Sequence, residues 1–113
     1  MKHEPMTTEE LMHMTEVVKL VMRERQRQHE LWGEQDLAIG ADFGSESAKA
    51  ELARFRQKVK FREAKGQDPT WHEIITEETL EVRAETDRAK LKTEAIQVAA
   101  VMVQFVEFLD RTA

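Results

Sequence analysis

Three glutamates sit where helices should be apolar. Glu78 and Glu81, in the segment Trp71 to Val82, fall on the same helical face as Ile74, Ile75 and Val82, and Glu94 shares a face with Val98, Val101 and Phe105. A carboxylate on an apolar stripe is costly unless a positive charge neutralises it. Glu78 and Glu81 are three residues apart, so they stack one turn over the other and point the same way. Glu85 continues that line, and Glu77 points towards its edge. Gln97 stands three residues after Glu94, nearer the boundary of its face, beside Gln104. If the two segments run antiparallel, Glu78 and Glu81 meet Glu94 and Gln97. Three carboxylates and one amide oxygen form a hard-oxygen set suited to magnesium or manganese. A run such as Glu77-Glu78-x-x-Glu81 also reads as a solvated acidic face, and only the inward placement separates the two readings. A di-iron centre wants a Glu-x-x-His pair on each of two helices, and neither segment supplies the histidine.

Four helices are expected to carry these groups. Thr7-Thr8-Glu9-Glu10 is a capping box, with Thr7 as cap and Glu10 as its reciprocal partner, and opens a helix running to about Leu31. Leu11, Met14, Val18 and Val21 form its apolar stripe, with Met12, Met14 and Met22 expected as core filler. A break from Trp32-Gly33 to Gly44 is too long for a tight connection, and ordered loops of that length are often functional. Ser45 caps the second helix, whose buried stripe is Ala48, Leu52, Phe55 and Val59; Arg54, Arg56, Lys58, Lys60 and Arg62 occupy its other faces. That helix ends near Lys65-Gly66. Asp68-Pro69-Thr70 starts the third, with Thr70 and Glu73 as a second capping box and Trp71 anchoring its first turn in the core. The third helix extends to about Glu85. Asp87 caps the fourth, from about Arg88 to Asp110, with Leu91, Val98, Met102, Phe105 and Leu109 on one stripe. The short connection between the last two makes them an antiparallel pair. The chain reads as one all-α domain over residues 1–113.

Composition limits the chemistry. The chain has 113 residues, enough for one small domain, and its hydrophobic content of 41% supports a packed core. It has no cysteine, so disulfides and thiolate catalysis are excluded. A net charge of −5 argues against a nucleic-acid polymer as partner, although a metal can bring the phosphates of a single nucleotide to an acidic site. The stretch Met1-Lys2-His3-Glu4-Pro5 does not read as a signal peptide, and the longest apolar run, Val98 to Val103, is far too short to span a bilayer. A cytoplasmic protein with no membrane partner is expected.

The pattern Glu77-Glu78-x-x-Glu81, a short turn, then Glu94-x-x-Gln97 resembles the MazG-like all-α nucleotide pyrophosphohydrolases, which carry Glu-Glu-x-x-Glu followed on the next helix by Glu-x-x-Asp. The stretch Thr70 to Arg111 resembles the metal-site hairpin of a bacterial and phage branch of that family. Arg27-Gln28-His29-Glu30-Leu31-Trp32-Gly33-Glu34-Gln35 is similar to its first-helix signature. The two stretches cover roughly half the chain. Gln97 departs from the family's last acid, and Leu31 stands where the branch tends to carry lysine.

The resemblance implies a four-helix MazG-like fold that hydrolyses a nucleoside triphosphate between the α and β phosphorus atoms, giving a monophosphate and pyrophosphate. It implies Mg2+, or Mn2+, held by Glu78, Glu81 and Glu94, with Gln97 in the fourth position, Glu77 and Glu78 as the catalytic pair, and Glu77 either supporting the ligands from behind or orienting the attacking water. Trp32 and Gln35 are expected at the nucleotide, Trp32 walling the pocket or packing the domain end. Arg54 and Lys58 are candidates for the phosphates, beside the plainer reading of a solvated face. His29 and His72 carry no catalytic expectation. Because Gln97 brings no charge, a helical module that binds nucleotides without turnover is the alternative. Val98, Val101, Met102, Phe105, Val106 and Phe108 wrap more than half of the fourth helix, so a homodimer, or a homotetramer as in many members of the family, is expected.

Overall fold

The computed structural model describes residues 3–113; Met1 and Lys2, the first two residues of the stretch judged not to be a signal peptide, lie outside the described residues. Four helices form and no strand is present among the described residues: α1 (Thr8–Trp32), α2 (Glu46–Ala64), α3 (Trp71–Ala84) and α4 (Arg88–Arg111). The all-helical class follows from the sequence pattern, and each start falls at its expected cap. No helix among the described residues is long and apolar enough to cross a membrane.

The chain divides into two compact units, one of Met1–Leu37 with Val103–Ala113, the other of Ala38–Met102. In the first, the Thr7 hydroxyl accepts from the Glu10 backbone while the Glu10 carboxylate accepts from the Thr7 backbone, closing the capping box. Gly33, at φ 66°, ends α1 by donating its backbone N–H to the His29 carbonyl. His13 Nε2 lies 2.9 Å from Asp110 Oδ2, tying α1 to the last turns of α4. Val17 is the buried apolar residue of α1, only 1% exposed. The expected stripe is otherwise uncovered: Leu11, Val18 and Val21 are exposed, and Met14 is half-buried. The expectation that Met12 and Met22 fill the core fails outright, since they are 65% and 64% exposed. Helical periodicity marks a face suited to a neighbour without supplying the neighbour, and the single chain covers little of α1.

The second unit holds the carboxylates. The stripe of α2 packs as expected, with Ala48 and Leu52 buried and Phe55 and Val59 half-buried against α3, whose Leu80 is buried. The end of α2 forms a Schellman motif: Gly66, at φ 79°, donates to the Glu63 carbonyl, and Gln67 donates to that of Arg62. At the start of α3 the Thr70 backbone and hydroxyl both donate to Glu73 Oε1, and Thr70 Oγ1 accepts from the Glu73 backbone. Arg62 of α2 pairs with the same carboxylate, so a buried Glu73 pins the end of α2 to the beginning of α3. Trp71 is half-buried beside it.

Candidate metal centre

Glu78 and Glu81 project from the middle of α3, one turn apart, and Glu94 from the second turn of α4. The turn between these helices is built from its own side chains. Glu85 Oε1 accepts from the backbone N–H groups of Thr86 and Asp87, and Asp87 Oδ1 accepts from that of Ala89. Glu85, which continues the acidic line in sequence, is therefore committed to the turn. Gly44 docks beside it, donating its N–H to the Arg83 carbonyl at 2.7 Å.

With the helices so joined, one carboxylate oxygen from each of Glu78, Glu81 and Glu94 lies within 4.8 Å of the others. All three side chains are half-buried. Glu78 Oε2 and Glu94 Oε2 are shielded from solvent and have no hydrogen-bond partner. A buried carboxylate oxygen without a donor is costly, and two that converge favour a bound cation or proton. Burial first, then the charges of Glu81 and Glu77, pushes the Glu78 carboxyl above the usual glutamate range. Burial also raises Glu94, helped by its hydrogen bond with Glu81 and by the charges of Glu81, Glu78 and Glu85. Oxygens spaced this closely suit a small hard cation such as magnesium or manganese.

Among the described residues, one positive side chain is paired with acids of the cluster. Arg56 of α2 donates from Nε to Glu77 Oε1 at 3.2 Å and from Nη2 to Glu81 Oε1 at 2.8 Å. The hydrogen bond to Glu81 is the main reason its guanidinium is held charged more firmly than usual. Glu77 is thus an ion-paired neighbour of the triad. Sequence reasoning placed Arg56 only among the polar faces of α2. The signal that marks it is angular: at about 100° per residue, Arg56 lies roughly 70° from the middle of the Leu52–Phe55–Val59 stripe on one side, while Lys58 lies roughly 90° away on the other and Arg54 further round still. On that other side Arg54 and Lys58 line a cleft of about 210 Å3 with Glu51, Phe55, Thr76 and Leu80.

The remaining expected residues are placed as follows. Gln97, one turn beyond Glu94 on α4, is exposed. Trp32 and Gln35 belong to the first unit and are both exposed. His72 is exposed in the first turn of α3. Glu107 in the first unit is a buried carboxylate that periodicity did not single out. No family model matches the sequence, and no match is found among curated proteins or solved structures.

Proposed function

We propose that this chain is a divalent-cation-dependent nucleotide pyrophosphohydrolase of the MazG-like kind, cleaving a ribo- or deoxyribonucleoside triphosphate to the monophosphate and pyrophosphate. The carrying observation is the convergence of Glu78, Glu81 and Glu94 on one point, with two of their oxygens buried and unpartnered. These carboxylates would hold Mg2+, or Mn2+, and Gln97 would add an amide oxygen. The cation supplies charge neutralisation at the phosphates and a more acidic water. Glu77, steadied by Arg56, orients the attacking water and takes up its proton. Water adds at the α phosphorus, the bond to the bridging α–β oxygen breaks, and pyrophosphate leaves. Gln35 is assigned to the base or sugar and Trp32 to the pocket wall, and Arg54 and Lys58, which line the cleft on the other side of the α2 stripe from Arg56, are the candidates read from α2 for the phosphates. A cytoplasmic setting supplies both nucleotides and magnesium.

The test is release of pyrophosphate, against orthophosphate, from a panel of nucleoside triphosphates with Mg2+ or Mn2+. Well-folded protein that releases pyrophosphate from none of them would refute the catalytic reading. An exposed, uncharged Gln97 in the fourth position favours a second reading, a module that binds nucleotides without turnover. Calorimetric titration separates the two, since the module gives binding heat and no product. The uncovered apolar residues of α1, with Ile96, Met102 and Leu109 of α4, support a homodimer or homotetramer.

A further inference from the structure

We propose that Arg56 is the built-in counter-ion of the acidic triad, a positioning residue that weakens the hold on a bare divalent cation and strengthens the hold on a cation that arrives with a polyphosphate. This rests on the reading of Glu78, Glu81 and Glu94 as cation ligands. Three carboxylates with oxygens within 4.8 Å of one another repel, and Arg56 pairs with one of them, Glu81, and with Glu77 beside them. By fixing Glu81 Oε1 it sets the rotamer of one proposed ligand and ties it to Glu77. The same charge opposes a second cation placed beside Glu81. A bare ion therefore meets a site already partly neutralised.

A polyphosphate reverses the balance. The guanidinium carries five N–H donors in a planar fork, and its two contacts to glutamate use Nε and Nη2. The Arg56 side chain is 46% exposed, so donors remain accessible from solvent. Phosphate oxygens would be attracted both by the guanidinium and by a cation held on the triad, so the repulsion between the two positive groups would be offset by a shared attraction. Arg54 and Lys58 line the cleft on the opposite side of the α2 stripe. Of the cations expected on α2, Arg62 is paired with Glu73, and Arg56 is in contact with Glu77 and Glu81.

Titration calorimetry on the full chain tests this, with Mn2+ alone and then with inorganic pyrophosphate at saturating Mn2+, for wild type, Arg56→Gln and Arg56→Lys. Circular dichroism first establishes that each variant is folded. The expected result is opposite in sign for the two ligands. Arg56→Gln binds bare Mn2+ about fivefold more tightly and pyrophosphate about tenfold or more weakly, within the usual span of coupling between sites. Arg56→Lys keeps the charge, stays close to wild type with Mn2+ alone and recovers part of the pyrophosphate affinity. A fall in both affinities together would overturn the proposal and make Arg56 a brace between α2 and α3. Unchanged affinities in Arg56→Gln would overturn it too, leaving the triad as a cation site. Wild type that takes up no Mn2+, with or without pyrophosphate, would overturn the cation reading itself.

Discussion

Replacing Glu94 by glutamine should stabilise the cation-free protein, an unusual outcome for a change at a half-buried position. Glu94 shares a 4.8 Å neighbourhood with Glu78 and Glu81, and its Oε2 is buried without a donor. At an effective dielectric constant near 20, two unit charges at that distance repel by roughly 3.5 kcal/mol. Proton uptake relieves part of this, because burial and the neighbouring carboxylates raise the Glu94 carboxyl above the ordinary glutamate range. What remains near neutral pH is of the order of an unmet buried group, about 1–2 kcal/mol. Glutamine removes one charge and offers two N–H donors to the neighbouring carboxylates. The expected gain in Tm for Glu94→Gln in chelator is about 4–8 °C, at roughly 4 °C per kcal/mol for a chain of this size. Thermal unfolding followed by circular dichroism at fixed protein concentration reads it. Mn2+ should then reverse the order: at a concentration a hundredfold above Kd the wild type gains about 2.7 kcal/mol, whereas the variant, lacking a ligand, gains little. A Glu94→Gln protein that melts lower than wild type in chelator would show that the carboxylate is satisfied by protein groups, and the electrostatic reasoning would fail. An equal rise in Tm for both proteins on adding Mn2+ would place the ion elsewhere.

Three further outcomes are expected. Because the folded-state pKa values of Glu78 and Glu94 lie above the ordinary glutamate value, the folded chain takes up more protons than the unfolded one between the two; cation-free stability therefore rises as pH falls through the raised values, and Glu94→Gln flattens that gain in a Tm–pH series. Glu73, held below the ordinary range first by Arg62, works the other way: its contribution is present above the unfolded value and is lost as pH falls through the lowered one, bounding the gain on the acid side. Gly44→Ala should cost about 1–3 kcal/mol in denaturant unfolding, since φ is 72° and the new Cβ would stand 2.7 Å from Thr86 Cγ2 and 3.2 Å from the Glu85 carbonyl. Met22→Asp, at an exposed apolar position of α1, should lower the mass seen by light scattering at micromolar concentration, and a wild type already monomeric there would refute the assembly.

Legibility followed range along the chain. Helix starts were readable because Thr7 with Glu10, Ser45, and Thr70 with Glu73 satisfy the first-turn N–H groups from within a few residues. The pairing of Glu78 with Glu81 is likewise a local matter of helical pitch, and the inward direction of Glu94 follows from the Val98 and Val101 beside it. Contacts between distant segments were not readable. Arg56 reaches acids 21 and 25 residues away, and its place at the edge of the α2 stripe does not say which acids it meets. The burial of Glu73 depends on Arg62 arriving from another helix. The stripe of α1 was legible as a pattern, yet its exposure depends on neighbours that one sequence does not name.

The turn at Glu85–Thr86–Asp87 has a kinetic consequence. It closes on its own carboxylates, and the acids that converge come from the adjoining turns of α3 and α4, so their meeting requires closure of only a short loop. Short loops close in well under a microsecond, whereas distant pairings lengthen the search. The repelling acids would thus be gathered early on the route to the native state, before the more distant Arg56 arrives to offset them. Divalent cations present during refolding would then speed folding as well as stabilise its product, and a chelator would slow it.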